Sequence, residues 1–80
     1  MHGDVKELIR EYIVKTAELK KLEDSEEIIE TNYLDSMEFV KFAVWLGEQF
    51  NIIVSEDDLT EENFRNLQRI TDFVKNKSNK

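Results

Sequence analysis

The sequence predicts an all-α domain built from three main helices and one short one, and three observations carry that reading. Apolar residues recur at helical spacing in three separate segments. Two of those segments open with an aspartate followed three residues later by a glutamate, the spacing of a capping box. The one run of β-branched residues, Ile52, Ile53 and Val54, is too short and isolated to find a strand partner.

The first helix is expected from about Asp4 to Lys20. Val5, Leu8, Ile9, Tyr12, Ile13 and Thr16 share one face, and Asp4 with Glu7 forms the first capping box. From Lys21 to Asp35 the periodicity fades and acids gather at Glu23, Asp24, Glu26, Glu27 and Glu30. A connection of that length needs anchoring, which Ile28, Ile29, Tyr33 and Leu34 are placed to supply. The second helix is capped by Asp35 and Glu38, carries an almost unbroken apolar series from Met37 to Phe50, and ends at Asn51, whose short amide tolerates a left-handed backbone. A short helical turn is expected over Ser55 to Glu62, with Ser55 as cap, Asp58 three residues on, and Leu59 and Phe64 turned inward. Asn66 then caps a last helix in which Leu67, Ile70 and Val74 share a face and Lys75 and Lys77 sit at the negative end.

Size and composition narrow the function classes. The 80 residues fit one domain, residues 1–80, of roughly 12 Å radius of gyration, too small for a catalytic cleft between domains. Its 40% apolar content is only just enough for a core, so an apolar residue left outside calls for a reason. A net charge of -7, from 18 carboxylates against 11 Lys and Arg, repels nucleic acid and anionic membranes alike and suits basic patches on other proteins.

With no cysteine there is no disulfide, thiol nucleophile or thiolate metal ligand. The single histidine, His2, reads as a terminal residue, which leaves Ser36 without a base for serine catalysis; no enzyme activity and no metal site are expected. Glu56, Asp57, Asp58, Glu61 and Glu62 read as a solvated acidic turn lacking the glycine and spacing of a calcium loop. Neither a signal-peptide layout nor a membrane-length apolar run appears, so the expected address is the cytoplasm, without stable membrane insertion.

Ser36 falls in the first turn of the second helix, where unpaired amides and the helix dipole favour a phosphate on the side-chain oxygen. Position alone is compatible with an ordinary helix start. The surrounding string is more specific: Tyr33-Leu34-Asp35-Ser36-Met37-Glu38 resembles the Asp-Ser-Leu attachment motif of the acyl carrier protein family, peptidyl and D-alanyl carriers included, with Met37 in the usual Leu place. The resemblance extends over nearly the whole chain, from the amphipathic first helix and long acidic loop to the closing stretch Asn66–Val74. It implies that Ser36 carries a 4'-phosphopantetheine arm added by a phosphopantetheinyl transferase, with an acyl or aminoacyl group held on the arm as a thioester. Asp35 is implied to orient the incoming metal-bound phosphate, alongside its role as N-cap. The other implied partners are a loading ligase and downstream acyl-transfer enzymes, met by a monomer.

Along the second helix Met37, Val40 and Val44 form one stripe, while Phe39, Phe42, Ala43, Leu46 and Phe50 form a second on roughly the opposite side. The second set has the greater aromatic volume and is assigned to the core. The first is then an exposed interaction strip, unless the long loop folds over part of it. Glu38 and Glu48 are the acidic contacts expected beside it. Lys41 and Gly47 stand where many fatty-acid carriers have carboxylates, a departure that favours a dedicated pathway over housekeeping fatty-acid synthesis. Trp45 reads as a partly buried packing residue, with the border of a cargo pocket as the alternative. The alternative function is a helical adaptor that uses the same strip without any prosthetic group.

Overall fold

The structure is a computed structural model that describes residues 4–78. His2 lies outside the described residues. Four α-helices follow in order: α1 (Val5–Ala17), α2 (Ser36–Phe50), α3 (Glu61–Phe64) and α4 (Leu67–Ser78), with a 3-10 turn over Glu56–Asp58 between α2 and α3. Helix α4 packs against each of the other three. The Cα radius of gyration is 11.6 Å, close to the value expected from length.

One core joins these elements. Ile9 and Ile13 from α1, Phe42 and Leu46 from α2, Phe64 from α3, and Leu67, Ile70 and Val74 from α4 are all withdrawn completely from water. Aromatic contacts run through it: Tyr12 stacks on Trp45 at 4.4 Å, Phe42 lies 5.2 Å from Tyr12, and Phe64 meets Phe73 at 5.3 Å. Trp45 is thus a half-buried packing residue joining α1 to α2.

The long connection before α2 is held by more than its apolar residues. Leu22, Ile28 and Leu34 are buried plugs. The Ile28 amide donates to the Arg65 carbonyl at 2.8 Å and the Gln68 amide donates to the Asp24 carbonyl at 3.1 Å, so the loop supplies a partner to one of the open amides at the start of α4. The Asp24 side chain accepts from Lys6 at 2.8 Å and from Arg10 at 2.9 Å, and Arg10 also donates to the Leu22 carbonyl. Those two cations hold the Asp24 carboxyl below the usual carboxylate range, Lys6 contributing most. Nearer α2, Asn32 takes a left-handed conformation with φ 58° and the Tyr33 hydroxyl donates to Glu26, holding that carboxyl down and the phenol up.

Several local expectations are corrected. Helix α1 stops at Ala17, because Glu18 turns left-handed and its amide reaches back to the Val14 and Lys15 carbonyls. The first capping box does not form: Asp4 accepts from the Lys6 amide, while Glu7 pairs with Arg10. Ile29 is more exposed than a loop anchor should be, and Leu22 is the buried anchor instead. The short helix expected over Ser55 to Glu62 divides in two. Asp58 accepts from both the amide and the hydroxyl of Ser55, closing the 3-10 turn, and Thr60 then caps α3 by accepting from the Asn63 amide at 3.2 Å. Asp58 is no plain solvated acid either: Lys77 of α4 reaches it at 2.9 Å and holds its carboxyl below the usual range, helped by the Ser55 amide.

Gly47 has a structural reason to be small. The chain folds back tightly after Asn51, with the Ile52 amide bonded to the Gly47 carbonyl at 3.1 Å, and a Cβ on Gly47 would stand 3.1 Å from the Ile52 carbonyl oxygen. A side chain there would require the Ile52 carbonyl to give by a few tenths of an ångström, which stands against the lower helix propensity of glycine.

Because Asp24 and Asp58 have lowered pKa values in the folded chain, their pairing stabilises the fold fully above the unfolded carboxylate pKa of about 3.9 and is lost as pH falls through the lower folded values. Thermal melts by circular dichroism from pH 7 to pH 2.5 (a span chosen to cross the range of about 3.9 downward) should show Tm falling only on the acid limb. In Asp24→Asn that limb should be shallower and Tm at neutral pH lower.

Candidate functional site

The site is built at the start of α2. Asp35 has an extended backbone and its side chain accepts from the Glu38 amide at 2.8 Å, while the Glu38 carboxylate reaches back to the Asp35 amide at 3.4 Å. The capping box expected from sequence is therefore complete, and the Asp35 carbonyl takes the first helical bond, from Phe39 at 2.8 Å. Ser36 and Met37 follow directly, at positions whose amides have no partner inside a helix. Ser36 is the first residue of α2 and is exposed. Its side chain thus stands at the electropositive helix end, on the surface.

Beside Ser36 lies an open depression of about 190 Å³ lined by Ile28, Ile29, Asn32, Leu34, Asp35 and Phe39. Its walls come from the anchored loop on one side and the first turn of α2 on the other. Apolar wall and helix end together suit a group that begins with a phosphate and continues as a partly apolar chain. A phosphodiester on the Ser36 oxygen fits that setting, since it would meet unpaired amides and no buried carboxylate.

The apolar strip along α2 is on the surface: Met37 is 67% exposed, Val40 57% and Val44 56%. The loop does not fold over it. On the opposite side Phe42, Ala43 and Leu46 are buried and Phe39 and Phe50 half-buried, as their stripe predicts. Lys41 and Glu48 are exposed on the strip's flanks, whereas Glu38 is half-buried and occupied by the cap. Farther along, an open groove of about 590 Å³ lies beside Val40 and Val44, lined also by Gly47, Ile52, Val54 and Leu59. Sequence reasoning missed two parts of this surface. The groove needs the fold-back after Asn51, which no local pattern reports, and Ile53, 81% exposed, belonged to a run judged only for its lack of a strand partner.

Among the described residues no cluster of three or more His, Cys, Asp or Glu is arranged to hold a metal ion. No described helix is long and apolar enough to cross a membrane.

The family model described as a phosphopantetheine attachment site matches residues 7–74. The chain belongs to that family. Its members carry 4'-phosphopantetheine covalently on a serine and work with phosphopantetheinyl transferases and acyl-handling enzymes. The match takes in most of α1, the long loop, α2, α3 and most of α4, so it concerns the bundle and not the serine string alone. No curated protein matches the chain.

Replacing Asp35 by Ala should cost about 1 kcal/mol, the usual worth of an N-cap side chain, with a further loss of order at the first turn because Glu38 loses its reciprocal partner. Urea denaturation followed at Trp45 measures the first effect, and amide exchange at Ser36 to Glu38 the second.

Proposed function

We propose that this chain is a carrier domain in which Ser36 is the attachment point of the arm, and that it presents an acyl or aminoacyl group to enzymes of a specialised pathway. The observation that supports it most is the exposed Ser36 hydroxyl on the first residue of a capped helix, inside the segment that matches the family. The other serines fit less well. Ser55 is tied to Asp58 in the 3-10 turn, Ser78 bonds back to Val74 beyond the matched residues, and Ser25 lies in the acidic loop with no helix start to receive a phosphate.

The chain's own residues do three things in this reading. Asp35 holds the helix start in shape and sets a carboxylate next to the serine, where it can orient the metal-bound phosphate of an incoming donor. The amides of Ser36 and Met37 offer hydrogen bonds to the phosphate oxygens of the phosphodiester. Met37, Val40 and Val44 give a partner enzyme an apolar landing strip, with Lys41 and Glu48 as charged contacts of opposite sign beside it. The arm, when present, supplies a thiol that holds the cargo as a thioester, and the bond-making chemistry belongs to the partner enzymes. Lys41, on the flank of the strip, selects against partners built for carriers with a carboxylate there, which supports a dedicated loading ligase.

Incubation with coenzyme A, Mg²⁺ and a broad-specificity phosphopantetheinyl transferase should raise the intact mass by one arm, and Ser36→Ala should abolish the gain. An unmodified wild-type mass, with a control carrier fully converted, would refute the reading; partner binding indifferent to the arm would point to an adaptor instead. Val44→Glu should leave stability within about 0.5 kcal/mol of wild type, as expected for an exposed site. The same variant should lower kcat/KM of the transferase for the apo protein by roughly tenfold, the scale of one lost central contact.

A further inference from the structure

An alkyl chain tethered at Ser36 can escape water by entering the bundle or by lying against its outside. The inward route from Ser36 passes Phe39, one turn along α2 and part of the wall of the depression beside the serine. The Phe39 ring stands edge-on to Phe64 at 5.2 Å, and Phe64 meets Phe42 edge-on at 6.2 Å and Phe73 at 5.3 Å. Phe42 and Phe64 are fully buried, as are Leu67, Ile70 and Val74 around them. The space between α2 and the α3–α4 pair is therefore filled with rings in favourable mutual geometry. A core packed at this density admits a guest only if those rings move.

Resting on the carrier reading of Ser36, we propose that Phe39 is a specificity-determining residue that closes the bundle to cargo, so that the group carried stays outside the core. A long alkyl chain left outside can cover one side against the surface but keeps the rest of its apolar area in water, which is unfavourable in proportion to that area. A short or polar acyl group, an aminoacyl group included, has no such need of burial. The cargo class that fits a closed interior is therefore the short or polar one.

The test compares wild type with Phe39→Ala by amide NMR, reading Phe42, Leu46, Phe64 and Ile70. In the first arm the transferase installs an octanoyl or an acetyl arm on Ser36. Wild type should give the same shifts at those four amides for both, and the same Tm, whereas octanoyl on Phe39→Ala should shift them and raise Tm above the acetyl form. In the second arm free octanoyl-pantetheine is titrated into the unmodified proteins, with saturable shifts expected in the variant alone. Saturable or octanoyl-specific shifts at the core amides of wild type would overturn the closed interior. No shift in the variant would overturn the role of Phe39. If Phe39→Ala does not fold, Phe39→Leu replaces it and the wild-type titration still decides. An unchanged mass in the first arm would count against attachment at Ser36, while the free-probe titration reads the interior without any attachment.

Discussion

The geometry of the serine end depends on how the long connection before α2 is tied down. A stretch running from Leu19 to Asp35 with no helix of its own has a large conformational entropy to lose, and few apolar side chains to offset it. Asp24 answers both ends of that problem: its carboxylate gathers Lys6 and Arg10 from α1, and its carbonyl takes an amide at the start of α4. Ile28 repeats the device, burying its side chain while its amide bonds to Arg65. With the loop held at those points, Leu34 can be buried immediately ahead of Asp35, and the cap forms where the chain emerges. The exposed serine is therefore mounted on an element anchored at several points.

What was legible in the sequence was what local spacing determines. The cap at Asp35 and Glu38, the left-handed stop at Asn51 and the two stripes of α2 each depend on residues within a few positions of one another, and the structure has them as expected. The same locality explains the failures. Asp4 and Glu7 have the capping-box spacing, but Arg10 offers Glu7 a charged partner on the next turn and takes it away. The stretch from Ser55 to Glu62 reads as one helical turn, yet Asp58 closes a 3-10 turn on Ser55, Thr60 opens α3 separately, and Lys77 from the far end of the chain pairs with Asp58. Leu22 and Asp24 carried no periodic signal, because their partners lie on α1 and at the start of α4. Gly47 looked like a weak point in the helix and turned out to be a place where the following chain approaches closely.

For the site, the residue string around Ser36 led to the family before any geometry was known, and the family match over residues 7–74 agrees with it. The parts that needed the fold were the surfaces. Exposure of the strip, the loop's failure to cover it, and the ring cluster under Phe39 all follow from how helices meet. Periodicity could assign residues to sides of α2 but could not say how much of each side α3 and α4 would fill.

The uncovered strip has a consequence for the molecule in free solution. Three bare apolar side chains in a row invite one copy to stick to another, yet each copy carries a net charge of -7. Like charge opposes the approach of identical molecules, most strongly at low ionic strength, while a surface of opposite potential is drawn in. The surplus of acids thus works against self-association, and the strip itself can stay adhesive.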